Sequence, residues 1–179
     1  MKSIIKFLHE ANKLKTLKRA GWVKLNIENP ESVADHTYRV ALMGILFCPK
    51  ELNNEKVLKM AIVHDLAETI VGDIITSHKD TIGFKKEKHE KEKKAIRHLV
   101  KDLDEGLSNE IISVWDEFEA QETEESKFAK QLDKLEMVFQ AQEYDKNSEE
   151  SFDSFWESTE YILKHPKLIE VFKELKKQR

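Results

Sequence analysis

The chain has 179 residues, 40% of them hydrophobic and 36% charged, with a formal net charge of −4. That balance offers no basic excess for a nucleic-acid backbone, and the longest apolar stretch, Val40 to Cys48, is nine residues and too short to span a bilayer. Cys48 is the one cysteine, which excludes an intrachain disulfide, and the opening Met1-Lys-Ser-Ile-Ile has neither the apolar core nor the cleavage site of a signal peptide; a cytoplasmic protein with no nucleic-acid or membrane partner is expected.

Only five glycines and three prolines interrupt a sequence rich in Lys, Glu, Leu and Ala, so helices are favoured over sheet. Ile4, Ile5, Phe7, Leu8, Ala11, Leu14 and Leu17 recur at helical spacing behind Ser3. A connection from Lys18 to Glu31 carries Gly21, Trp22 and Pro30. Ser32 can cap a second helix that buries Val33, Val40, Ala41, Ile45 and Phe47 and ends at Pro49. Asn54 can cap a third, unusually apolar and therefore central helix that runs through Val71 and is closed by Gly72. Asp73 to Gly83 reads as a loop, and the mixed-charge run from Lys85 to Lys94 as a solvated helix face laced with i,i+4 pairs. The rival reading of that run is a basic rim that draws phosphate toward a nearby site. Ser108, Thr123 and Ser151 stand near further helix starts, and Pro166 suits the opening of a last helix. No repeat or linker shows. The expectation is one all-α domain over residues 1–179, a bundle of about seven to nine helices.

The chemistry concentrates in two short stretches, Ser32-Val-Ala-Asp-His-Thr37 and Met60-Ala-Ile-Val-His-Asp-Leu-Ala-Glu68. A His-Asp pair inside an apolar helix needs compensation, because a buried polar group without a partner costs roughly 2–7 kcal/mol. A divalent cation satisfies imidazole and carboxylate together. On a continuous helix His64, Asp65 and Glu68 fall within an arc of about 100°. His36 brings a second imidazole from another helix, Asp73 stands just past Gly72, and Asp133 lies between apolar Ala129 and Met137. Taken singly, each has a plain structural explanation. His9, His78, His89, His98 and His165 read as surface or satisfied histidines, and Asp35 as a helix-start carboxylate favoured by the dipole. The set is what points to metal chemistry.

Four blocks in this order resemble the HD-domain metal-dependent phosphohydrolases, and more closely the HD-domain 5′-deoxynucleotidases of the eukaryotic type. They are Gly21-Trp-Val, Pro30-Glu-Ser-Val-Ala-Asp-His-Thr-Tyr-Arg39, Val63-His-Asp-Leu-Ala-Glu-Thr-Ile-Val-Gly-Asp-Ile74 and Lys130-Gln-Leu-Asp-Lys-Leu-Glu-Met137. The resemblance covers nearly the whole chain. It implies His36, His64, Asp65 and Asp133 as ligands of a divalent cation, with Mn, Co and Mg as the candidates. It implies catalytic roles for Asp65, Glu68 and Asp73, and substrate contacts from Trp22, Asp73, Ile74, Ile75 and Thr76. In the eukaryotic branch Glu68, Asp73 and the Ile74 carbonyl would instead hold a second cation; both assignments stand at this point. Trp22 resembles an aromatic that packs on the nucleoside. In the bacterial branch an arginine directly precedes that tryptophan, whereas here Gly21 does, with Arg19 out of register.

The resemblance thus implies hydrolysis of (deoxy)ribonucleoside 5′-monophosphates to nucleoside and phosphate, with a small nucleotide as substrate and a homodimer as the assembly. The alternatives are an HD phosphohydrolase for another nucleotide and a non-catalytic metal-binding helical scaffold.

Overall fold

The computed structural model describes residues 1–76, 80–145 and 150–179; His78 lies outside them. These residues form helices and no strand, and an isolated antiparallel bridge joins Lys18 to Ser32. In chain order the helices are α1 (Lys2–Ala11), a 3-10 turn (Asn12–Lys15), α2 (Ala20–Lys24), α3 (Val33–Phe47), α4 (Asn54–Val63), α5 (Glu68–Val71), α6 (Ile82–Val100), α7 (Glu105–Ala120), α8 (Glu124–Asp145), α9 (Asp153–Ile162) and α10 (Pro166–Lys177).

Helix starts follow local chemistry. The Ser32 hydroxyl accepts the Asp35 N–H while the Asp35 carboxylate accepts the Ser32 N–H, a reciprocal cap that holds the carboxyl of Asp35 below its ordinary range. Asn53 rather than Asn54 caps α4, its side chain accepting from the Lys56 N–H at 3.1 Å. Asp104, upstream of Ser108, caps α7, and Thr123 accepts the Ser126 N–H at the start of α8. Ser3, expected as a cap, lies inside α1 and caps nothing.

The course of two expected segments also needs correction. The Lys18–Glu31 connection contains the short helix α2, whose first N–H, from Ala20, donates to the Asp73 carboxylate at 2.7 Å. A five-residue helix has too few turns to leave a periodic signal; a partner 53 positions away stabilises its start. The expected single helix from Asn54 to Val71 is broken. The last regular α bond of α4 is His64 N–H to the Met60 carbonyl at 2.9 Å; Leu66, Glu68, Thr69 and Ile70 then donate to carbonyls three residues back, before Val71 and Gly72 return to α bonding. The chain tightens through His64–Ala67 and resumes as α5. Gly72 ends α5 at φ +78°, on the left-handed side where a Cβ is disfavoured.

Helix α3 packs on α4 and α8, α4 also on α7 and α8, and α6 on α7 and α5. One core joins Trp22, Val40, Met60, Phe128, Leu132 and Leu135; a second joins Val33, Leu66, Ile96, Leu99 and Trp115. Each fully buried side chain of this size contributes roughly 1.5–3 kcal/mol, which offsets the cost of burying His36, His64, Glu68, Asp133 and Glu136 between them. Ile45, expected inside, is 60% exposed. With Tyr38, Leu42 and Leu46 it forms an exposed row at i, i+4, i+7 and i+8 on α3. No helix among the described residues is long and apolar enough to cross a membrane.

Candidate active site

Three segments meet where α3, the α4–α5 break and α8 converge. His36 from α3 is fully buried, and its Nε2 lies 3.3 Å from Asp133 Oδ1, 3.4 Å from His64 Nε2 and 3.8 Å from Asp65 Oδ2. His64 Nε2 is 3.1 Å from Asp65 Oδ2. The tightening of the chain at this point is what lets two consecutive residues face one another across the site. His36, His64 and Asp65 offer ligand atoms that all lie within 4.8 Å of one another, with Asp133 against His36.

The orientation of each ring is set from behind. His64 Nδ1–H donates to the Ala61 carbonyl at 2.8 Å, which leaves the Nε2 lone pair facing the site. His36 Nδ1 is bonded to Glu136 on α8, and Arg39 holds Glu136 in turn at 2.8 Å. A carboxylate behind the far nitrogen of an imidazole is the usual way to orient and strengthen a metal-ligating histidine. Glu31 also approaches this cluster, but one of its oxygens accepts the Trp22 indole N–H at 2.8 Å. Burial and then the Glu136 charge push Glu31 up to about 7.

Around the convergence the charges are dense. Burial and Arg19 oppose protonation of His36, but Glu136 and Asp133 prevail and raise it to about 9. Burial likewise works against ionisation of Asp65, yet His64, Arg19 and His36 hold its carboxyl well below the usual range. Asp133, whose burial also resists ionisation, is held low by Lys130 at 3.0 Å and Lys134 at 3.8 Å. Glu68 goes the other way: burial, then the charges of Asp65 and Asp73, push it well above the carboxylate range. Its Oε2 is buried and has no hydrogen-bond partner among the described residues. A buried carboxylate oxygen with no partner calls for an explanation, and Glu68 lines the same cavity as Asp65, Asp73 and Asp133. The donor set of imidazole and carboxylate suits a divalent transition metal or magnesium.

Arg19, two residues before Trp22's preceding glycine, is brought into the site. Its guanidinium lies 3.2 Å from Asp65 and 3.8 Å from Asp73. Asp73 therefore serves two groups at once, Arg19 and the start of α2. Ile74, Ile75 and Thr76 follow it along the wall of the same cavity, which Trp22 also borders. Trp22 itself is only 1% exposed, and the ring of Phe155 is stacked on it at 4.3 Å and 26°.

Arg19, Lys130, Lys134 and Glu136 carry roles that residue-by-residue reading did not assign. A signal existed for three of them: Lys130, Lys134 and Glu136 sit at −3, +1 and +3 from Asp133, so two of the three share its helix face. The charge run on α6 divides. Lys91 pairs with Glu87 at 2.7 Å on the solvent side, whereas Lys88 pairs with Glu92 at 2.5 Å and borders the cavity. His89 also turns inward, its ring stacked on Trp115 at 5.5 Å.

The HD domain family model matches residues 11–176. The chain is 40% identical to the 5′-deoxynucleotidase HDDC2 of Mus musculus, over 98% of this chain and 88% of the relative. It is 41% identical to the 5′-deoxynucleotidase HDDC2 of Danio rerio, over 100% of this chain and 89% of the relative. Among solved structures, a conserved hypothetical protein from Pyrococcus furiosus superposes with a TM-score of 0.78 at 33% identity, covering 97% of this chain and 99% of the other.

Proposed function

The chain belongs to the HD domain family, and we propose that it is a metal-dependent 5′-deoxynucleotidase, a phosphohydrolase that takes deoxyribonucleoside 5′-monophosphates to nucleoside and phosphate. The activity named for its relatives supports this. The observation that carries it is the convergence of His36, His64, Asp65 and Asp133, with Glu68 and its unpartnered oxygen on the cavity that Asp65 and Asp133 also line. A scaffold gains nothing from two imidazoles and three carboxylates buried together, whereas phosphate-monoester hydrolysis, among the slowest uncatalysed reactions, gains from a cation that such a set can hold.

His36, His64, Asp65 and Asp133 would hold the cation, with Mn, Co and Mg as the candidates. A cation bound there supplies Lewis acidity toward a phosphoryl oxygen and lowers the pKa of water toward ~7. The rest falls to the chain. Arg19 presents a permanently charged fork to the phosphoryl oxygens, braced by Asp65 and Asp73. Lys130 and Lys134 set positive charge on the α8 side of the same cavity. As water adds to phosphorus and the P–O5′ bond breaks, the departing 5′ oxygen needs a proton. Glu68, whose carboxyl burial and its acidic neighbours push well above the ordinary carboxylate range, would give it. Ile74, Ile75 and Thr76 would line the phosphate's approach.

The unpartnered Glu68 oxygen also favours a second reading, in which Glu68, Asp73 and the Ile74 carbonyl hold a second cation. Arg19 and the Ala20 N–H both approach Asp73 Oδ2, so such an ion would take the other carboxylate oxygen. Metal content of the purified protein separates one ion from two. The exposed apolar row Tyr38, Leu42, Ile45 and Leu46 supports a homodimer. A lone cysteine and a net charge of −4 support a cytoplasmic enzyme acting on small molecules rather than on nucleic acid.

The test is a phosphate-release panel over nucleoside monophosphates, triphosphates and phosphodiesters with Mn, Co and Mg. Release from 5′-monophosphates, strongest with deoxyribose, is the expected result. Release confined to triphosphates or diesters would assign a different HD reaction, and no release with any metal would favour the scaffold.

A further inference from the structure

The cavity lined by Asp65, Glu68, Asp73 and Asp133 is small, about 90 Å³. Sites that take whole small molecules run to roughly 300–1,000 Å³, so this one accommodates a phosphoryl group and not the sugar and base attached to it. It shares a wall that includes Ile75, Thr76, Lys88, Met137 and Phe155 with a neighbour of about 610 Å³. The larger cavity continues past Phe155 to Tyr161 and Ile162, with Ser154, Glu157 and Ser158 along the α9 side.

Phe155 stands at the passage between the two. Its ring is partly buried and stacked on Trp22 at 4.3 Å and 26°. Trp22 is in turn fixed by Tyr144 at 5.3 Å, by Phe152 at 6.1 Å and by its indole bond to Glu31. On the other flank is Gly21: a Cβ there would come within 3.2 and 3.3 Å of the Phe155 ring. The missing side chain at residue 21 is therefore the space in which this ring is seated.

We propose that the sugar and base of the substrate occupy the 610 Å³ cavity and that Phe155, not Trp22, is the aromatic residue that determines how the nucleoside is held. Trp22 backs the ring, and Gly21 admits it. The inference rests on the nucleotide reading above.

Binding of deoxyadenosine 5′-monophosphate and of inorganic phosphate to the full-length metal-loaded protein, measured by calorimetry alongside kcat and KM, tests it. Phe155→Leu keeps an apolar side chain against Trp22 but removes the π-face. It should weaken nucleotide binding and raise KM about tenfold, the scale of one lost base–aromatic stack, with kcat and phosphate binding unchanged. Gly21→Ala, which crowds the ring, should move KM in the same direction by less. Equal loss for nucleotide and phosphate, or no loss for either, would overturn the proposal. Nucleotide bound in a Phe155-dependent way without hydrolysis would uphold it while removing the nucleotidase reading. Failure of the parent protein to bind the nucleotide at all would overturn both.

Discussion

The site is built from two kinds of helix, and they place side chains by different rules. On α8 the spacing is regular: Asp133 and Glu136, three residues apart on a 22-residue helix, both point toward His36 from one face. At the α4–α5 break the helix pitch is lost, and adjacent His64 and Asp65, which a regular helix would set about 100° apart, come within 3.1 Å. A continuous helix provides side chains that are stiff and periodic; an interrupted one provides side chains that are contiguous in sequence and convergent in space. The break also frees backbone carbonyls, and the Ala61 carbonyl is the one that orients His64.

The strongest test removes one carboxylate from each side. Asp65→Ala and Asp133→Ala should each lower turnover by ~10²–10³-fold or more with helical circular dichroism intact. The two should differ in stability. Asp133→Ala strips Lys130 and Lys134 of their shared acid, while Asp65→Ala leaves Arg19 beside Asp73; the Asp133 variant should therefore melt at the lower temperature. Full activity in either would dismiss the proposed ligand set.

A second test concerns the support that α8 gives His36. In the metal-free protein His36 keeps its proton up to about 9, so the cation must displace that proton to bind. Metal affinity should therefore rise about tenfold per pH unit from neutrality and level off near that value. The sign is opposite for stability: the raised pKa stabilises the metal-free fold fully below the ordinary histidine value, and this contribution fades as pH rises through about 9. In Glu136→Gln the rise should end at lower pH, because the charge that retains the proton is gone. The plateau should fall by ~10–100-fold. Calorimetry in buffers of different ionisation enthalpy reads the proton directly, and an unchanged pH profile would deny Glu136 this part.

The smallest expected effect lies at the far end of the break. Gly72→Ala meets no neighbour within 4 Å, so any penalty comes from its φ of +78° alone. A loss of about 1 kcal/mol is expected, or ~2–4 °C in Tm for a chain of this size, with little change in activity. A drop in kcat without a drop in Tm would show instead that Gly72 positions Asp73.

Much of this site is written in the order of residues. Ser32 and Asp35 specify their own cap, Pro166 opens α10, and a His-Asp pair among Met60, Ala61, Val63 and Leu66 marks its own need for a partner. These are local matters, decided by side-chain chemistry within one or two turns. The candidate ligands are legible for the same reason: few residue types satisfy a cation, and apolar neighbours expose them. What folding alone decided is pitch and reach. Nothing between Asn54 and Val71 announces that the helix stops at Val63, because every residue there has helical periodicity; packing on α3, α7 and α8 overrides it. Arg19 stands outside the expected register, yet it arrives at Asp65 because Asp73, from 53 positions away, starts α2 at Ala20. The burial of Trp22 beneath Phe155 depends on a contact across more than a hundred residues. Such pairings carry no periodic trace, since each is set by loop closure and tertiary contact rather than by neighbours along the chain.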